Sequence, residues 1–126
     1  MTTVMCLKFG DKFSADYVNH LYAGVKRNST VPFTFKCYTE NPTSIHEDIV
    51  IEKLPDAKLS GWWYKLYLFS EEANNTGTNV FIDLDTIITS NIDDILTYDP
   101  SESLVVLQDV GVVLEPNLKE NFGSGF

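Results

Sequence analysis

The apolar period of this chain changes along its length, and that change constrains the fold more tightly than any single motif. Residues 3–9 form a near-continuous apolar run with β-branched members, as a buried strand would. Gly10-Asp11 breaks the run. Ala15, Val18, Leu21, Tyr22 and Val25 then recur at helical spacing. Ser14 can cap that helix, and Lys26-Arg27 suit the negative end of its dipole. Residues 33–38 alternate as a strand, Asn41-Pro42-Thr43 marks a turn, and residues 49–54 read as a third strand closed by Pro55. Trp62, Leu66, Phe69 and Ala73 predict a helix over residues 61–73. Residues 79–84 read as a hydrophobic strand running into Asp83-Leu84-Asp85, with Ile87-Ile88 continuing in extended form. Asn91 can cap a short helix over residues 92–96, with Asp93 and Asp94 in its first turn. Residues 103–108 read as one more strand, and the tail over residues 112–126 is mixed.

Strand, helix, strand, strand, helix, strand is an α/β order. It predicts a mostly parallel central sheet flanked by helices, in a Rossmann-like arrangement. Ligands of such sheets bind outside the carboxyl ends of the strands. Residues 10–13 and Asp83-Leu84-Asp85 are therefore the loops to watch.

A length of 126 residues sets the expectation of one domain around one core. The net charge of −9 argues against nucleic acid as the main partner, because phosphate backbones need a clustered positive face. It disfavours an anionic membrane surface for the same reason. No apolar run approaches the ~20 residues of a membrane span. No secretory signal is read at the start, and Asn28-Ser29-Thr30 and Asn74-Asn75-Thr76 read as polar turns rather than glycosylation sites. Cys6 and Cys37 read as buried, reduced residues. The expected location is cytoplasmic.

Asp83 and Asp85 are the sharpest chemical feature. Two carboxylates one residue apart at a strand end can converge on one ion, and hard oxygen ligands suit Mg²⁺ or Mn²⁺, with a diphosphate completing the shell. An Asp at a strand end also caps turns. Lys65 sits in an otherwise apolar and aromatic helix, where it either snorkels to water or neutralises a phosphate. Phe9, Asp11 and Phe13 flank Gly10, so an aromatic there either stacks on a nucleobase or packs down. Trp62 and Trp63 read as packing residues. His20 and His46 have no ligand spacing and read as structural or solvated. There is no phosphate-binding glycine loop and no GxGxxG.

In order and spacing, Lys65, then Val80-Phe81-Ile82-Asp83-Leu84-Asp85-Thr86, then Asn91-Ile92-Asp93-Asp94-Ile95-Leu96 resembles one known family. It is similar to the glycogenin-like glycosyltransferases of family eight, and to GT-A fold glycosyltransferases in general. The likeness extends over about residues 1–108. It implies a metal-dependent hexosyltransferase that takes a UDP-sugar, UDP-glucose or a similar hexose donor, and transfers or hydrolyses the sugar. Asp83 and Asp85 would hold Mn²⁺ or Mg²⁺. Leu7, Lys8, Phe9, Phe13, Lys65 and Leu84 would join them in binding the donor, Phe13 standing where that family contacts uracil. Asp109 is the candidate catalytic base or sugar contact. The expected domain is a single minimal GT-A unit over residues 1–126, the donor-binding part without a separate acceptor region. Neither His20 nor His46 stands where GT-A enzymes often place a further metal ligand. A homo-oligomer could supply the missing walls, and the acceptor is open. The alternatives are a module that binds UDP or a UDP-sugar without efficient transfer, and an unrelated acidic α/β interaction protein.

Overall fold

Three residues in a row with no exposed surface, Val4, Met5 and Cys6, mark the strand around which everything else is laid. In the computed structural model, which describes residues 2–54, 64–70, 73, 77–99 and 105, that strand is β1 (Thr2–Lys8). It is followed by α1 (Ala15–Arg27), β2 (Phe33–Thr39), β3 (Val50–Lys53), α2 (Tyr64–Leu68), β4 (Asn79–Phe81) and α3 (Asp93–Leu96). The four strands form one sheet in the order β3-β2-β1-β4, and every neighbouring pair is parallel. Parallel neighbours cannot be joined by a hairpin, so the chain has to cross over between them. The result is the α/β, Rossmann-like architecture expected from the alternation of periods.

Each face of the sheet is covered by its own helix. On one face Val4 and Cys6 of β1 and Phe35 and Cys37 of β2 pack with Val18, Leu21 and Val25 of α1. On the other, Met5 and Tyr38 pack with Tyr64 and Leu68 of α2 and with Leu54. A strand covered on both faces has no solvent side, which is why β1 reads as an unbroken apolar run. Cys6 and Cys37 are free, buried and in register on adjacent strands. A hydrogen bond with Cys37 and burial push the Cys6 thiol up.

The element ends depart from the sequence pattern in places, each for a local reason. Ser14 occupies the cap position of α1 in extended conformation, but its side chain makes no cap bond. The Tyr17 amide, which that hydroxyl would take, donates instead to the Ser14 carbonyl at 3.1 Å. α2 ends at Leu68 rather than near residue 73, as the Ser70 amide and hydroxyl both turn back onto the Tyr67 carbonyl, at 2.9 and 2.6 Å. Residues 61–63, with Trp62 and Trp63, lie outside the described residues. β4 stops at Phe81; one further bond, from the Ile82 amide to the Met5 carbonyl at 3.0 Å, closes the ladder before the chain turns. Ile87-Ile88 belongs to no strand, and Ile87 is 82% exposed. The strand expected over residues 103–108 falls outside the described residues, apart from residue 105, which is in no regular element. No helix among the described residues is long and apolar enough to cross a membrane.

α3 is tied back to the end of α1 through one carboxylate. Asp93 accepts the Thr30 amide at 2.7 Å and the Thr30 hydroxyl at 2.6 Å, and Asn91 donates to it at 3.1 Å. The cap position of α3 is Ile92, not the expected Asn91, and it makes no side-chain cap bond; Asn91 closes the turn just before it, its Oδ1 accepting the Asp93 amide at 2.9 Å. Those bonds favour the ionised form and lower the Asp93 pKa to about 2 from its ordinary 3.8. A depressed carboxyl pKa contributes stability above the unfolded-state value and loses it as pH falls through the folded-state value. The Asp93 link is therefore intact above 3.8 and lost on acidification towards about 2. Asp93→Asn should flatten that part of the acid limb in a series of urea midpoints against pH. Parallel curves for wild type and variant would disprove the link.

Candidate functional site at the carboxyl edge of the sheet

Strand order locates the candidate site. From β1 the chain steps outward to β2 and β3 on one side, then returns to place β4 on the other side of β1. The order reverses between β1 and β4, and at such a reversal the connections diverge and leave a crevice outside the carboxyl ends. Two segments leave the sheet there: Phe9-Gly10-Asp11 after β1, and Ile82-Asp83-Leu84-Asp85 after β4. Gly10 has a φ of 71°, a conformation that costs glycine nothing, and its amide donates to Glu40 Oε1 at 2.9 Å, beyond the end of β2.

The β4 exit carries the acidic pair. The Thr86 amide donates to the Asp83 carbonyl at 3.1 Å, so Asp83 opens a turn. Phe81 faces α2 by strand alternation, and the Lys65 ammonium of α2 lies 5.4 Å from its ring centre. The same ammonium meets Asp83 Oδ1 at 2.8 Å, where the lysine side chain is 13% and the aspartate side chain 33% exposed. Leu84, between the two carboxylates, is buried in the α1-side cluster with Ile92 and Leu96. Its side chain is an anchor for the pair, and only its backbone can face a ligand. Asp85 is exposed and makes no hydrogen bond or ion pair among the described residues.

No group of three His, Cys, Asp or Glu side chains able to hold a metal occurs among the described residues. Two hard carboxylates fit Mg²⁺ or Mn²⁺ nonetheless, as these ions keep several waters and take phosphate oxygens besides one or two carboxylates. The softer donors, Cys6 and Cys37, are sealed within the sheet. His46 is taken up by its own turn, its Nδ1 accepting the Asp48 amide at 3.1 Å.

The β1 exit carries a second group. A cavity of about 420 Å³ is lined by Lys8, Asp11, Phe13, Asp16, Asn41 and Thr43, among others. Lys8 is only 7% exposed, yet it makes no hydrogen bond or ion pair among the described residues. No buried side-chain nitrogen among the described residues lacks a hydrogen-bond partner, so the Lys8 ammonium reaches the surface, and the cavity is where an acceptor for it can enter. Phe13 forms part of the wall and stands 4.9 Å, ring centre to ring centre, from Tyr17.

Phe9 turns the other way. It is 40% exposed and its ring centre lies 4.9 Å from that of Tyr64, the neighbour of Lys65 on α2. Leu7 packs in the α2-side cluster. The sequence-predicted residues thus form two groups: Lys8 with Phe13 at the cavity, and Phe9, Lys65, Asp83 and Asp85 around the crevice. Lys65, Asp83 and Asp85 do not line the cavity. Asp109 lies outside the described residues.

The structure adds Tyr64, Asp16, Asn41 and Thr43 to the residues that the sequence singles out. The turn Asn41-Pro42-Thr43 held a usable signal. In a parallel sheet all carboxyl ends share one edge, so a polar turn after any strand belongs there. In comparisons with known proteins, no family model and no curated protein matches this chain, so the geometry of this edge carries the functional argument.

Proposed function

We propose that the chain is a metal-dependent hexosyltransferase that takes a UDP-sugar, with Asp83 and Asp85 holding Mn²⁺ or Mg²⁺. The observation that carries this reading is the Asp83-Leu84-Asp85 turn at the strand-order reversal, with the Lys65 ammonium 2.8 Å from Asp83. A diphosphate entering a protein of charge −9 needs cations to meet it, and the Lys65 ammonium stands beside Asp83 at this edge. When bound, the metal would act as a Lewis acid that stabilises the leaving diphosphate.

The chain's own groups have separable tasks. Lys65 neutralises phosphate charge. Leu84 holds the two carboxylates outward by burying its own side chain. Lys8 donates to a carbonyl oxygen of the base, and Phe13 gives the base an aromatic wall. Cytoplasmic residence suits the two buried free thiols.

A thermal-shift screen of nucleotides and nucleotide sugars, with and without Mn²⁺, tests the reading. A ligand at a hundred times its dissociation constant stabilises by about 2.7 kcal/mol. UDP and UDP-hexoses are expected to shift the midpoint only with metal, and Lys8→Met is expected to reduce the shift. Release of UDP above an Asp85→Ala control would support transfer or hydrolysis. A metal-dependent shift without release would assign the chain to UDP-sugar binding alone. No shift with any nucleotide overturns the reading and leaves an acidic α/β interaction protein.

A further inference from the structure

Two carboxylates leave β4 together, and among the described residues one of them, Asp83, already has a cation. Lys65 Nζ lies 2.8 Å from Asp83 Oδ1, a charge-assisted hydrogen bond. Asp85, two residues on, is exposed and has no such partner among the described residues. We infer that Lys65 is a built-in counter-cation, which holds Asp83 in the ligand-free protein and exchanges it for phosphate when metal and diphosphate bind together. The inference rests on the proposed reading of Asp83 as a metal ligand.

Lys65 is placed for such an exchange. Its neighbours on α2, Tyr64 and Leu68, are buried at 3% and 1% exposure, so its backbone is fixed. Its ammonium stands 5.4 Å from the centre of the Phe81 ring, whose face attracts a cation. With the backbone held, the end of the side chain is what can swing. The ammonium and a divalent cation cannot both lie against one Asp83 oxygen without strong like-charge repulsion. Metal on its own therefore meets the Lys65 charge, whether it displaces the ammonium from Oδ1 or takes the other oxygen of the same carboxylate. A diphosphate removes this penalty by offering Lys65 new oxygens. Lys65 thus couples the two ligands: it opposes metal alone and favours metal with diphosphate, and coupling of this kind is reciprocal. In so acidic a chain it also keeps the pair from collecting divalent ions in the absence of donor.

The test measures two affinities in wild type and in Lys65→Met, which keeps the length and loses the charge. Mn²⁺ alone is titrated by electron spin resonance, and UDP is titrated at saturating Mn²⁺ by calorimetry. Lys65→Met is expected to bind Mn²⁺ alone about tenfold more tightly and UDP about tenfold more weakly, as for one partly buried charge pair. Lys65→Gln, which keeps a hydrogen-bond donor for Asp83, gives the same directions should the Met variant fold poorly. UDP binding that weakens while Mn²⁺ affinity stays unchanged or falls would overturn the inference and leave the metal site standing. Wild type that binds no UDP at saturating Mn²⁺ would overturn both.

Discussion

Asp83→Ala is expected to abolish Mn²⁺-dependent UDP binding, with a loss of at least ~100-fold in calorimetry. Even partners one step removed from a metal ligand cost 10–100-fold when lost, and Asp83 is proposed as a ligand itself. The same change removes the carboxylate 2.8 Å from Lys65. A fully buried pair broken from one side costs several kcal/mol, but Asp83 is 33% exposed, so solvent screening reduces the figure to about 1 kcal/mol. The two effects separate by experiment. Urea unfolding reads the stability change, and titration of the folded variant reads the binding change. Asp83→Asn keeps the shape and should lose the metal dependence with a smaller stability cost. Binding of UDP that persists unchanged with Mn²⁺ in both variants would remove Asp83 from the site.

Leu21→Ala is expected to cost roughly 2–5 kcal/mol, the range for truncating a buried leucine. Leu21 is 2% exposed in the middle of α1 and belongs to the cluster that includes Val4, Cys6, Phe35 and Cys37. α1 is the cover for that face of the sheet, and its first turn lines the cavity beside Lys8. A cost of that size is a large part of the ~5–15 kcal/mol typical of a whole domain. Loosening α1 should therefore also weaken the nucleotide binding proposed for the cavity, without touching an atom proposed to face the ligand. Ile87→Ala is the control: Ile87 is 82% exposed, and its loss should change stability by less than ~0.5 kcal/mol. Equal urea midpoints for the two variants would show that α1 is not packed as described.

The Lys65–Asp83 pair is the clearest measure of what was legible. Both residues stood out in the sequence, one for its charge among apolar neighbours and one for its place at a strand end. Their contact at 2.8 Å did not, because it joins an element on one face of the sheet to the edge of a strand. Lys8 makes the same point in reverse. Its position in an apolar run announced burial, but not that it would line a cavity with Asn41 and Thr43 from beyond β2.

The sequence by itself determined the local elements and the fold class. The period of an apolar pattern follows from the geometry of one backbone segment, so β1, α1 and the turn at Asp83 can be read without their neighbours. Only the tertiary structure decided which strand lies beside which. A parallel strand carries the same hydrophobic pattern whether it pairs with the strand before it or crosses to the far side of the sheet. β4 pairs with β1 through Val4↔Val80 and Met5↔Phe81 rather than adding to β3, and that choice creates the reversal at which Asp83 and Asp85 emerge. It is decided by burial summed over both faces, where α1 and α2 each need a covered side of β1, and no local pattern contains that sum.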